Sequence, residues 1–226
     1  MAAKVNRDSM VMAALVASIG LIALPAALLG RATWLETFSF TTGAVCVWLT
    51  VKQSIWNFPV GLANVVAYAI VFFQARLFAD AGLQVVYFAL GLMGWYLWLR
   101  RSDDGSSIPV ERAGKLELAL LVPFIVLSTL GLWQALHAAG GSVTFWDALT
   151  TSISLASQWL LNRKRLESWI GWIVVDIIYV PLYAYKELYL TSLLYFMFLI
   201  MAMMGLRAWR ESWLARQVGV LDLAKT

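Results

Sequence analysis

The chain has 226 residues, of which 62% are hydrophobic and only 13% charged, with a formal net charge of +4. Soluble domains carry about 25% charged residues, so a soluble globular enzyme is not expected. The 12 Trp, 8 Tyr and 11 Phe argue against disorder. A single cysteine, Cys46, leaves no intrachain disulfide, and a single histidine, His137, leaves no multi-histidine metal site.

A membrane helix needs about 20 mostly apolar residues. In chain order, such runs fall at about 10–30, 33–51, 58–75, 80–99, 116–136, 144–162, 167–185 and 189–209. They predict an all-α integral membrane protein of about eight transmembrane helices. Lys4 and Arg7 ahead of the first run would also suit a signal peptide, but a run of this length fits a retained span better. The segment 100–115 contains Ser102-Asp103-Asp104-Gly105-Ser106-Ser107 and Pro109, and it reads as a polar, flexible connection.

Basic residues divide unevenly between the two sides. Fourteen of the 17 fall on the side of the N-terminus: Lys4, Arg7, Lys52, Arg100, Arg101, Arg112, Lys115, Arg163, Lys164, Arg165, Arg207, Arg210, Arg216 and Lys225. Arg31, Arg76 and Lys186 fall on the other. Positive-inside bias then puts both termini in the cytoplasm.

A shift of 111 residues aligns the chain on itself without gaps. Trp48 falls on Trp159, Leu49 on Leu160, Tyr68 on Tyr179, Leu77 on Leu188, Leu83 on Leu194, Met93 on Met204, Gly94 on Gly205 and Trp98 on Trp209. Spans 2–4 thus match spans 6–8, with span 5 between them, which makes a parallel repeat. The expected organisation is an N-terminal tail and extra helix over 1–32, a first three-helix repeat over 33–99, and a loop and linking helix over 100–143. A second repeat over 144–210 and a cytoplasmic tail over 211–226 complete it. Transporters built on such repeats place substrate near the midplane, between the two.

A charge at the centre of a span costs about 2.5–3.5 kcal/mol on insertion scales, so an intramembrane acid is a functional candidate. Asp176 is the clearest. At 100° per residue, Trp169, Trp172, Asp176, Tyr179 and Tyr183 fall within about 80° of one another. Indole faces stack on flat rings and attract cations. A buried carboxylate takes a cation or a hydroxyl, and phenols donate or accept. The face suits a planar, cationic or hydroxyl-rich small molecule. Thr151, Ser154, Gln158 and Asn162 share one face of span 6, and Gly61, Asn64, Tyr68 and Phe72 one face of span 3. Gln84 adds a polar group in span 4, where Tyr87, Gly91, Gly94 and Trp98 read as packing and Asp80 as a helix cap. The chain holds no phosphate loop, no zinc-protease or Cys/His metal spacing and no nucleophile elbow, so neither cofactor, metal nor enzymatic activity is expected. The basic clusters suit anionic lipid rather than nucleic acid.

Several motifs taken together resemble the PnuC family of bacterial vitamin transporters. They are the Trp169-x-x-Trp172-x-x-x-Asp176 run ending at Tyr183, Trp56-Asn57-Phe58-Pro59-Val60-Gly61, Leu77-Phe78-Ala79-Asp80-Ala81, Gly94-Trp95-Tyr96-Leu97-Trp98, and Leu194-Tyr195 with Gly205-Leu206-Arg207. The likeness covers about 33–210. Phe58 stands where that family commonly has Trp, and Phe78 where it has Tyr; both keep the ring. The resemblance implies a three-plus-one-plus-three core like that of SWEET sugar transporters, a homotrimer in the inner membrane, and facilitated diffusion of nicotinamide riboside followed by trapping by a separate kinase as a step of NAD salvage. It implies that Asp176 pairs with the pyridinium ring. Relatives that carry thiamine, riboflavin or nucleosides, or a substrate-binding subunit of an ATP-driven vitamin importer, are the alternatives.

Overall fold

The protein is described here from a computed structural model. It covers residues 2–29, 34–74, 78–100, 107–138, 144–185, 187 and 189–223, with the backbone alone for 2–9, 26, 27, 36, 78–80, 190 and 219–223. Arg31, Arg76, Arg101, Lys186, Leu77, Leu188 and Lys225, together with 102–106, lie outside the described residues, as do the side chains of Lys4, Arg7, Phe78 and Asp80. Among the described residues there are eight helices: α1 (Ala2–Leu28), α2 (Trp34–Val51), α3 (Asn57–Gln74), α4 (Phe78–Leu99), α5 (Lys115–Ala138), α6 (Thr144–Asn162), α7 (Glu167–Tyr185) and α8 (Tyr189–Leu223). Each lies where an apolar run predicted it. The chain divides into two compact units, residues 1–105 and 106–226.

Five helices are long and apolar enough on length and composition to cross a membrane: α3, α4, α5, α7 and α8. The apolar stretches of α1 and α2 are shorter, Met10–Pro25 and Thr37–Val51. The expected full-length span at 144–162 is a helix of the predicted bounds but falls short of that composition, because hydroxyls interrupt it. Thr150, Ser152, Ser154, Ser157 and Asn162 of α6 are all buried. Thr150 donates to the Trp146 carbonyl at 2.8 Å, Ser152 to Ala148 at 2.8 Å and Ser157 to Ile153 at 2.7 Å. Hydroxyls satisfied by the preceding turn cost a membrane helix little.

In the first unit α1 packs on α2, α2 on α3 and α3 on α4; in the second α5 packs on α6, α6 on α7 and α7 on α8. Glycines set the close approaches. A Cβ at Gly205 would meet the indole of Trp169 at 2.5 Å, one at Gly171 would collide with Ser157, and one at Gly91 would meet Leu62 at 2.9 Å. Without a hydrophobic drive between helices in lipid, such close contacts supply the association. Tyr185 and Tyr189 are exposed where α7 meets α8, and Trp34, Trp56 and Tyr96 at the helix ends of the first unit, as interfacial rings are.

Two turns share one pattern. The Ser54 amide bonds the Leu49 carbonyl at 2.9 Å, and the Arg165 amide bonds Leu160 at 2.9 Å; Asn57 bonds Ser54 at 3.1 Å, and Ser168 bonds Arg165 at 3.1 Å. Gln53 and Lys164 both take a positive φ, 54° and 52°. Lys52 lies over the Trp48 ring at 4.6 Å and Arg163 over Trp159 at 4.4 Å. Phe58 meets Trp98 edge-on at 5.0 Å, and Trp169 meets Trp209 edge-on at 5.5 Å. Every one of these correspondences is 111 residues apart.

One expectation is corrected. The connection 100–115 is not loose over its second half. Glu111 forms a parallel bridge with Arg165, its amide bonding the Lys164 carbonyl at 3.1 Å and its carbonyl accepting from Leu166 at 2.9 Å. Val110 beside it is buried. Beyond the apolar run at 189–209 the α8 helix continues, for 35 residues in all, to Leu223. At 1.5 Å per residue that is about 52 Å, well beyond a hydrocarbon core of about 30 Å. Good helix formers and the Arg207–Glu211 pair at 3.3 Å carry the helix on.

Candidate functional site

Asp176 sits in the third turn of α7, 5% exposed. No hydrogen bond or ion pair reaches its carboxylate from the described residues. Around it α7 is two-sided. Trp172, Tyr179 and Tyr183 are half-buried and Trp169 and Val175 buried, whereas Ile170, Val174, Ile177 and Pro181 are exposed. These last four recur at spacings of four, three and four, so they form one outward apolar stripe suited to lipid. Pro181 cannot donate to the helix ladder, and one turn of support comes from α8: Ser192 donates to the Val180 carbonyl at 2.8 Å.

The rings of that face differ in access. Trp169 is 2% exposed, closed in by Gly205 and Trp209 of α8, and its Nε1 is buried without a partner among the described residues. Tyr179 and Tyr183 stay half-buried with centroids 5.3 Å apart. Tyr195 of α8 joins them, 4.7 Å from Tyr179 and stacked on Tyr183 at 5.1 Å and 13°. Phe198 closes the group edge-on at 5.9 Å. Sequence reading placed the two α7 tyrosines but assigned no role to Tyr195, although the shift of 111 superposes it on Gln84.

On α6, Gln158 is half-buried and Asn162 fully buried. The Gln158 Nε2 donates to Asn162 Oδ1 at 2.9 Å, so the two amides are joined by one helical turn. In the first unit, Asn64 donates from Nδ2 to the Ser39 carbonyl at 2.5 Å and to Thr42 Oγ1 at 3.0 Å, tying α3 to α2. Tyr68 stacks on Phe72 at 5.6 Å and meets Phe40 edge-on at 6.5 Å. Gln84 on α4 is half-buried and makes no hydrogen bond to the described residues. The structure therefore brings Trp169, Trp172, Asp176, Tyr179 and Tyr183 onto one face in the second unit, with Gln158 and Asn162 on the adjacent helix. Asn64, Tyr68 and Gln84 belong to the first unit. Among the described residues no group of acids, cysteines or histidines could hold a metal ion.

Helices long and apolar enough to cross a membrane make this a multi-pass membrane protein, and the family match makes it a transporter. The chain belongs to the nicotinamide mononucleotide transporter family, whose sequence model matches residues 33–211. It is 28% identical over 213 residues to the nicotinamide riboside transporter PnuC of Escherichia coli strain K12, covering 83% of this chain and 88% of that one. To the riboflavin/roseoflavin transporter RibM of Streptomyces davaonensis it is 26% identical, over 78% of this chain and 84% of that one. The crystal structure of the vitamin B3 transporter PnuC has the same fold, with a TM-score of 0.71 at 23% identity over 88% of this chain and 90% of that one.

Proposed function

We propose that the protein carries nicotinamide riboside across the cell (inner) membrane by facilitated diffusion, and that a separate kinase traps the riboside in the cytoplasm. The single observation that carries this reading is Asp176, buried and unpartnered among the described residues on a face of half-buried aromatic rings. The pyridinium ring of the riboside brings a delocalised positive charge and a flat face; the carboxylate supplies the charge, and rings supply the stacking. Trp172, half-buried, is the accessible stacking ring, while Trp169 is enclosed by Gly205 and Trp209 of α8. In the second unit Tyr179, Tyr183, Gln158 and Asn162 supply hydroxyl and amide contacts, and Asn64, Tyr68 and Gln84 are the candidate contacts of the first unit. Asn162 and Ser39 hold the Gln158 and Asn64 side chains in set orientations.

The riboside passes unchanged, and the chain is no enzyme. The placement of 14 of 17 basic residues supports cytoplasmic termini. The paired turns and edge-on ring pairs at a spacing of 111 support two three-helix repeats joined by α5, with α1 additional. The family resemblance supports a homotrimer. The alternative reading is a carrier for riboflavin, thiamine or a nucleoside, favoured by the similarity to RibM. Riboflavin and nucleosides differ in charge, because their uncharged rings need no counter-ion, whereas the thiazolium of thiamine would suit Asp176 as the pyridinium does.

Binding of nicotinamide riboside to the purified protein tests the reading. Asp176→Asn keeps the shape and removes the charge. It should weaken binding of the charged riboside by about 10- to 100-fold, the range for losing a charge-assisted contact. Equal affinity in wild type and variant removes Asp176 from the site. Tight binding of riboflavin and none of the riboside favours the alternative.

A further inference from the structure

We propose that Tyr195 is a specificity-determining residue of the transport site, a third ring that selects a positively charged flat substrate over an uncharged one. This rests on the reading of the Asp176 face as the substrate site. Three observations lead to it. Tyr179 follows Asp176 by three residues, so the two side chains are neighbours on the helix surface, with Cβ atoms about 5–6 Å apart. Tyr195 contacts both Tyr179 and Tyr183 at 4.7 and 5.1 Å, and so extends the ring surface that begins beside the carboxylate onto α8. All three tyrosines remain half-buried, unlike Trp169, so their rings are not wholly consumed by helix packing.

The internal correspondence points the same way. At 111 residues' separation, Tyr68 and Phe72 match Tyr179 and Tyr183, and each pair is in ring contact, at 5.6 and 5.3 Å. The third position is Gln84 in the first unit and Tyr195 in the second. An amide stands where the first unit has no intramembrane acid matching Asp176, since Val65 occupies that place. The unit with the acid has the ring. A carboxylate and an electron-rich ring surface both favour a cation, and each does more in a low-dielectric site than in water.

The experiment measures dissociation constants of the purified full-length protein for nicotinamide riboside and for its uncharged dihydropyridine form. Tyr195→Leu should weaken binding of the charged riboside by about three- to thirtyfold, the equivalent of one cation–π contact, and of the uncharged form less than threefold. Tyr195→Phe, which keeps the ring, should keep the wild-type ratio of the two constants. Tyr195→Gln puts the first unit's residue at this position and should behave as the leucine variant does, which guards against a result due to misfolding. Equal losses for both ligands, or no loss for the charged one in either ring-deleting variant, overturn the proposal. Wild-type protein that binds neither ligand overturns instead the assignment of the site to a riboside.

Discussion

Gly205 shows how one missing side chain positions a whole face. Its Cα leaves room for the indole of Trp169, and a methyl group there would meet the ring at 2.5 Å. The indole is pinned between Gly205 and Trp209 and cannot swing aside without breaking the edge-on pair. Overpacking of this kind costs about 1–3 kcal/mol. Gly205→Ala should therefore lower the melting temperature of the purified protein by several degrees, whereas Gly131→Ala, with nothing within 4 Å of the new methyl and a gain in helix propensity, should leave it unchanged or raise it slightly. Equal melting temperatures for the two variants would refute this account of the α7–α8 contact. Asp176 was legible in the sequence, because charge is so scarce that one mid-span acid stands out. Its ring neighbours were legible too, because helical periodicity is a local property. The enclosure of Trp169 was not, since it depends on a glycine 36 positions along the chain. Periodicity says which residues share a face but not what covers them.

At the level of elements, the turn between α6 and α7 and the segment that straps it are the least expected part. Glu167, in the first turn of α7, accepts from the Ala113 amide at 2.7 Å and pairs with Arg112 at 3.0 Å. Arg165 pairs with Glu111 at 2.5 Å and Glu117 at 3.2 Å, and Arg216 of the α8 extension approaches Glu111 at 3.8 Å. Polarity and serines make 100–115 look loose, because local sequence does not reveal that another turn supplies partners for its backbone. Lys164 lies within this strapped turn, only 3% exposed. Burial lowers its pKa from 10.5 to about 8. The unfolded chain therefore holds a proton that the folded chain has released between about pH 8 and 10.5. Stability rises with pH across that window, and the burial cost is fully present below it. A shift of this size is worth on the order of 3 kcal/mol. The melting temperature of wild type should climb from pH 7.5 to 9.5, and Lys164→Met should start higher and stay flat. Parallel curves for the two proteins would contradict a buried ammonium as the source of this pH dependence.

On the scale of the whole molecule, the number of helices and their places were written in the hydropathy, with α6 and α7 expected to the residue. The length of α8 was not, because a hydropathy window ends where the membrane does, while helix propensity continues through Arg210, Glu211 and Arg216 to Leu223. The proposed repeat rests on eight identities in sequence, and its stronger support lies in the backbone: two turns with the same hydrogen bonds and a positive φ at Gln53 and Lys164. Residues in such turns are chosen for conformation and burial rather than chemical type, so glutamine and lysine share one position. A carrier that works by facilitated diffusion needs no ion gradient and no ATPase partner. The most direct test is uptake of labelled nicotinamide riboside into liposomes containing only the purified protein, with the same buffer on both sides. The account predicts uptake that stops when internal and external concentrations are equal, accelerates in exchange for preloaded unlabelled riboside, and falls at least tenfold in Asp176→Asn. Binding without any uptake would contradict it and make the chain a capture subunit, and uptake at the wild-type rate by Asp176→Asn would contradict the role of the buried carboxylate.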